Sequence, residues 1–138
     1  MIVNVIATPN FQREAKKLIK KYRSLKGELA DLISDLEQEP RTGTLITENV
    51  YKIRLAVKSK GKGKSGGLRI ITYVEAELVQ TEDTTDVYLL SIYDKSDYEN
   101  ISEPLLKSLI EDIQEELIEE MEEVENEDAE DDSKDDAE

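Results

Sequence analysis

The segment VYKIRLAVKSKGKGKSGGLRIITYV, residues 50–74, contains the clearest structural signals in the sequence. From Val50 to Lys58 apolar side chains alternate with polar or cationic ones, which predicts a strand with one face toward a core and the other carrying cations. Residues 59–67 hold four glycines and three lysines and predict a loop. A second strand is expected from Leu68 to about Leu78.

The centre of this stretch, residues 52–69, contains seven cationic residues and no acidic one, although the net charge of the chain is −15. Lysine and arginine neutralise phosphates, and glycines let a backbone approach an anion closely. The pattern therefore indicates a phosphate-binding surface, with a merely solvated strand face as the alternative. A nucleotide-binding P-loop is excluded, because the Gly-Lys-Ser triplet lacks the required spacing. We expect the seven cations to converge on one face: Lys52, Arg54, Lys58, Lys60, Lys62, Lys64 and Arg69.

Apolar periodicity on either side of this stretch predicts an α+β domain. Residues 2–6 predict a short strand, and Thr8 followed by Pro9 predicts a helix start. Two helices follow with so short a connection that we expect an antiparallel helical hairpin. Residues 87–93 predict a strand that pairs with the strand from Leu68. The expected sheet is antiparallel with about four strands, including the N-terminal one, and a helix opened by Ser102 and Pro104 follows it.

The charge is divided unevenly along the chain. Residues 1–100 carry a net charge of +1 and residues 101–138 carry −16. Beyond about residue 125 almost nothing is apolar, so an acidic disordered tail is expected there. This tail either solvates the protein or, over residues 111–138, folds back on the basic loop as an RNA mimic.

The chain contains no cysteine and no histidine. This excludes disulfides, thiolate metal sites and the usual general base, so we expect neither a metal nor a cofactor. Metal-free RNA cleavage requires deprotonation of a 2′-hydroxyl, stabilisation of the phosphorane and protonation of the leaving oxygen. Lysine, arginine and tyrosine suffice for this chemistry. The N-terminus has no long apolar run, so we expect a cytoplasmic location and no membrane partner.

Residues 50–74, together with VYLLSIYDKSDYENIS at 87–102, resemble the RelE/ParE superfamily of bacterial toxins. The likeness is closest to the RelE and HigB branch. It rests on a strand ending in Ile-Arg, a lysine-rich loop ending in Gly-Gly-x-Arg and a last strand ending in Tyr-x-Lys. The resemblance covers roughly residues 1–112, which form the implied toxin domain. The acidic extension is atypical of such toxins, which are usually basic and shorter; the sequence pattern predicts a helical extension over 113–125 and the disordered tail over 126–138.

The resemblance also implies a function. Toxins of this branch enter the ribosomal A site and cleave messenger RNA by attack of the 2′-hydroxyl on the phosphate, and a cognate antitoxin blocks them. The carried-over catalytic residues are Lys60, Lys64, Arg69 and Tyr93, with Arg69 as the transition-state clamp and Tyr93 stacking on a base or sharing proton transfer. The implied RNA-binding residues are Lys52, Arg54, Lys58, Lys62 and Lys95. The alternatives are a DNA gyrase inhibitor of the ParE branch and an inactive homologue that binds RNA or an antitoxin.

Overall fold

The structure is a computed structural model that describes residues 2–61, 67–79 and 82–136. It divides into two compact units, Met1–Ile101 and Ser102–Glu138. In chain order the elements are β1 (Ile2–Ala7), α1 (Pro9–Lys21), α2 (Leu25–Gln38), β2 (Thr44–Thr47), β3 (Val50–Leu55), β4 (Leu68–Val79), β5 (Glu82–Asp94) and α3 (Glu103–Asp136).

The first unit is built on a mixed sheet with the strand order β1-β5-β4-β3-β2. The strands from β2 to β5 form an antiparallel meander, whereas β1 runs parallel to β5 with Val5 opposite Val87. The α+β class is as predicted, but the antiparallel sheet of about four strands is wrong in two respects. The N-terminal strand pairs in parallel, because two helices separate it from the meander and supply the crossover that parallel pairing needs. A fifth strand, β2, is also present.

Strand β2 has the sequence TLIT and forms a tight hairpin with β3. Asn49 turns the chain with a φ of 63°, a conformation that asparagine tolerates better than most residues. Gly43, with a φ of 105°, passes so close to β3 that a Cβ atom would lie 2.5 Å from the carbonyl oxygen of Lys52. The β-branched residues of TLIT, bounded by Gly43 and Asn49, are the signal that would have predicted this strand.

Helix α1 begins where the sequence predicts. The Thr8 side chain accepts a 3.3 Å hydrogen bond from the Phe11 backbone amide, and Pro9 occupies the first helical position. The predicted helical hairpin differs in detail, because α1 contacts β5 while α2 contacts β1. Both helices are thus anchored on the sheet rather than mainly on each other. An apolar groove of about 430 Å³, lined among others by Phe11, Ile19 and Leu29, lies beside α1.

The core of this unit lies between the two helices and one face of the sheet. Leu25 and Leu36 of α2 and Leu68 and Ile70 of β4 are fully buried. Each such side chain contributes about 1.5–3 kcal/mol on leaving water. This packing also fixes the register of the opposite face of the central strands. That face holds apolar as well as polar side chains, and Ile71, Arg69 and Ser91 on it are all buried.

Helix α3 forms the second unit and is about 51 Å long at 1.5 Å per residue. Ser102 caps it by accepting a 3.3 Å hydrogen bond from the Leu105 amide. The helix continues through residues 126–136, where the sequence predicts a disordered tail, and residues 137–138 lie outside the described part. No helix within the described ranges is long and apolar enough to cross a membrane.

Candidate nucleic-acid interface

Three side chains lie in one line across the central strands. Arg54 of β3 is opposite Arg69 of β4, and Arg69 is in turn opposite Tyr93 of β5. Directly opposed residues of neighbouring strands point to the same face of a sheet, so these residues form a row, named here the Arg-Arg-Tyr row. The fold therefore brings together three of the residues that the sequence selects.

The two arginines of the row differ in exposure. Arg54 is exposed, whereas Arg69 is 3% exposed and donates a 3.2 Å hydrogen bond to the Leu68 carbonyl oxygen. The acids Glu28, Asp31 and Asp35 of α2 line the same depression as Arg54. The row thus presents one guanidinium to solvent and holds a second beneath the surface.

Tyr93 ends the row in an aromatic pair. Its ring is 3% exposed and stacks on Tyr98 with 4.4 Å between ring centroids, and its hydroxyl donates a 3.1 Å hydrogen bond to the Glu99 carbonyl oxygen. Burial raises the pKa of Tyr93. Tyr98 is 41% exposed, so it presents the outer ring of the pair. Sequence reasoning missed Tyr98, although an aromatic in the polar segment after a strand end is a readable signal.

Lys60 does not join the row. Its ammonium forms an ion pair with Asp94, which also accepts hydrogen bonds from Tyr22 at 2.7 Å and from the Ser96 amide at 2.9 Å. Burial alone would raise the pKa of Asp94, but these donors hold it well below its usual range. Asp94 follows Tyr93 in β5 and therefore points to the other face. The expectation that all seven cations converge on one face is thus wrong for Lys60, because a buried carboxylate binds it.

The start of the basic loop is held by α2. The Lys58 amide donates a 3.0 Å hydrogen bond to Oε2 of Glu28, and the Ser59 amide donates one of 3.0 Å to Oγ of Ser24. The Lys58 side chain itself is exposed. Both contacts and the Lys60–Asp94 pair fix the first residues of the loop, so Lys58 projects from an ordered backbone.

Two further predicted cations, Lys52 and Lys95, lie in the described part of the chain. Lys52 precedes Arg54 by two residues and shares its face, and its Nζ donates a 3.1 Å hydrogen bond to Oδ1 of Asn100. Lys95 is partly exposed, and its amide donates a 3.4 Å hydrogen bond to the Gly67 carbonyl oxygen. Lys62 and Lys64 lie outside the described residues.

A carboxylate lies near the aromatic end of the row. Oε1 of Glu14 in α1 accepts hydrogen bonds from Ser91 at 2.8 Å and from Asn10 at 2.7 Å, and the backbone amide of Ile92 also donates to this carboxylate. Burial raises the pKa of Glu14. Burial also raises the pKa of Tyr98, and the nearby charge of Glu14 adds to that effect. Sequence reasoning missed Glu14, because in the sequence it is one acid among the many charges of a basic helix.

In chemical terms this surface can bind an anion at Arg54, stack a planar group on Tyr98 and exchange a proton at Glu14. Within the described part of the chain, no group of three or more acids is arranged to hold a metal ion. No protein-family model matches the chain, and no solved structure gives a significant match to it.

Proposed function

We propose that this protein is the toxin of a type II toxin–antitoxin system and that it cleaves messenger RNA on the ribosome by attack of a 2′-hydroxyl on the adjacent phosphate. The observation that carries the proposal is the placement of Arg54 directly opposite Arg69, in line with the stacked Tyr93–Tyr98 pair. The row combines what a ribose-phosphate backbone needs, namely positive charge beside an aromatic platform.

The direct opposition of two arginines in neighbouring strands supports a functional reason for the pair. Like charges directly opposite each other in a sheet repel, and the acids Glu28, Asp31 and Asp35 line the depression around Arg54. Natural sequences keep such local conflicts mainly at functional sites. A phosphate bound at Arg54 would reduce the repulsion between the two arginines, and the extra charge of the phosphorane would reduce it further.

Each residue then has a role consistent with its exposure. Arg54 contacts the scissile phosphate. Arg69, which is buried, stabilises the transition state through its positive charge and not by direct contact, so its role as transition-state clamp is electrostatic. Tyr98, backed by Tyr93, stacks on a base. Lys52, Lys58, Lys62 and Lys95 hold the backbone of the RNA, and Lys64 remains a candidate for proton transfer. Lys60 fixes the loop through Asp94 instead of exchanging protons.

A second candidate function is RNA or antitoxin binding without cleavage. One observation favours it: Arg69 is 3% exposed, so its guanidinium does not reach the surface directly. Binding alone would need only Arg54 and the lysines, whereas cleavage requires that the field of Arg69 acts on the reacting phosphate. The proposed partners are the ribosomal A site with its message and a cognate antitoxin that covers the row.

The test is induction of the protein in bacterial cells, followed by growth measurement and primer extension on a translated message. Codon-positioned breaks that disappear in Arg54→Ala support cleavage, and Lys26→Ala, an exposed lysine on α2, is the matched control. Intact transcripts despite ribosome binding would favour the binding function. Growth arrest with DNA damage and intact transcripts would instead point to inhibition of gyrase.

A further inference from the structure

Glu14 is held in a fixed position at the edge of the sheet. Strand β1 pairs with β5 only as far as Leu89, so the last residues of β5 lack a strand partner on that side. Helix α1 occupies that position, and Glu14 accepts hydrogen bonds there from Ser91 and from the Ile92 amide. A side chain with these donors on one carboxylate has little rotational freedom, and its orientation is set by the sheet itself.

The position of Ser91 places this carboxylate on the face of the Arg-Arg-Tyr row. Ser91 precedes Tyr93 by two residues, so both side chains point to the same face, about 7 Å apart along the strand. Ser91 is opposite Ile71 in β4, and Tyr93 is opposite Arg69. Moving across the face from Arg54, the order is therefore the two arginines, the stacked tyrosines and, bonded to the buried Ser91, the Glu14 carboxylate at the edge that α1 covers.

We propose that Glu14 is the proton acceptor of this site and takes the proton of the ribose 2′-hydroxyl. The inference rests on the proposed function. The 2′-oxygen then forms a bond to phosphorus, and the bond from phosphorus to the 5′-oxygen breaks. The 5′-oxygen takes a proton from solvent, which leaves a 2′,3′-cyclic phosphate and a 5′-hydroxyl, and Glu14 later returns its proton to solvent.

The local chemistry suits a base. Burial raises the pKa of Glu14, and a carboxylate with a raised pKa is a better proton acceptor than an exposed one. Asn10 and Ser91 both donate to Oε1, so they fix one oxygen and orient the other. The arginines stay protonated and so cannot accept a further proton, and Lys60 is engaged by Asp94. Glu28, Asp31 and Asp35 line the depression beside Arg54, whereas Glu14 is the carboxylate that is hydrogen-bonded to β5, the strand that carries Tyr93.

The experiment compares the wild-type protein with Glu14→Gln in single-turnover cleavage of a message on purified programmed ribosomes. Glutamine keeps the shape and the Oε1 acceptor but cannot take the proton. The expected result is a fall in cleavage rate of about 100-fold or more with unchanged ribosome binding. The acidic limb of the pH–rate profile should also disappear. Glu37→Gln, an exposed glutamate on α2, is the matched control and should cleave at the wild-type rate.

A second variant tests the role of Glu14 by a shift of the pH–rate profile instead of a loss of cleavage. Ser91→Ala removes a donor that lowers the pKa of Glu14, so the acidic limb should move to higher pH. A purely structural Glu14 would give no such shift. The inference would be overturned if Glu14→Gln cleaved the message as fast as the wild-type protein and the acidic limb of the pH–rate profile did not move in Ser91→Ala. The proposed function would remain intact in that case. Absence of cleavage by the wild-type protein would instead overturn the proposed function itself.

Discussion

The phenol of Tyr22 donates a 2.7 Å hydrogen bond to Oδ2 of Asp94, which joins the end of α1 to the last residue of β5. Lys60 pairs with the other carboxylate oxygen, and its ammonium lies 5.8 Å from the centroid of the Tyr22 ring. One buried carboxylate thus connects a helix, a strand and the basic loop. The hydrogen bond raises the pKa of Tyr22 and also fixes its ring beside the Lys60 ammonium.

The Lys60–Asp94 pair should contribute strongly to stability. Replacing Lys60 by methionine keeps the stem of the side chain but leaves the buried Asp94 carboxylate without its counter-charge. We expect the free energy of unfolding to fall by about 3–5 kcal/mol. Urea denaturation monitored by circular dichroism would measure this change.

Lys58 provides the matched control for this substitution. It lies two residues away in the same loop, but its side chain is exposed, so Lys58→Met should change the free energy of unfolding by less than about 0.5 kcal/mol. Equal effects of the two substitutions would contradict the assignment of Lys60 as a loop anchor.

Asp94 should also make stability depend on pH. Its pKa is lowered in the folded state, so the unfolded chain binds a proton first as the pH falls below about 4. The stabilisation is therefore fully present above that pH and is lost as the pH falls toward the folded-state pKa. The difference in unfolding free energy between wild type and Asp94→Asn should shrink over this window. A difference that stays constant from neutral pH to acid would show that Asp94 is not the linked group.

Arg54 and Arg69 should separate function from stability. Arg54 is exposed, so Arg54→Gln is expected to alter the unfolding free energy by less than about 0.5 kcal/mol while it weakens RNA binding and cleavage. Arg69 is buried, and Arg69→Gln should cost about 1–3 kcal/mol through its lost hydrogen bonds. Denaturation curves and ribosome-binding assays on both variants measure this. An Arg69→Gln protein of wild-type stability, or a fully active Arg54→Gln protein, would contradict the assignment of Arg69 to stability and of Arg54 to RNA binding.

Local signals in the sequence predicted the parts of this fold that local physics determines. The Thr8 cap and the alternation of β3 need only neighbouring residues, and both are present in the structure. The parallel pairing of β1 and the Lys60–Asp94 and Glu14–Ser91 contacts join residues 34 to 82 positions apart. No local pattern encodes such contacts. The charge run therefore revealed the cations but not which of them a distant carboxylate would bind.

Two glycines, one just before β2 and one within α2, offer a test of backbone geometry. Gly43 has a positive φ, and a Cβ atom added to it would lie 2.5 Å from a backbone carbonyl oxygen, so Gly43→Ala should destabilise the protein by about 1–3 kcal/mol. Gly27 has open space around it, so Gly27→Ala should instead stabilise by about 0.5–1 kcal/mol. Thermal unfolding of both variants would reveal the opposite signs, and a neutral Gly43→Ala would show that β2 shifts freely.

The acidic end of α3 should lower the affinity of the protein for RNA. Deleting residues 126–138 removes eight acids and one lysine, which changes the net charge from −15 to −8. Repulsion between this segment and phosphates slows encounter, so the deletion should raise the association rate with ribosomes on the order of tenfold at low salt, with less effect at high salt. A full-length variant with the eight acids replaced by their amides is the control, because it keeps the length and removes the charge. If the deletion accelerates binding and the amide variant does not, the effect arises from bulk; if neither changes the rate at low salt, the segment only solvates the protein.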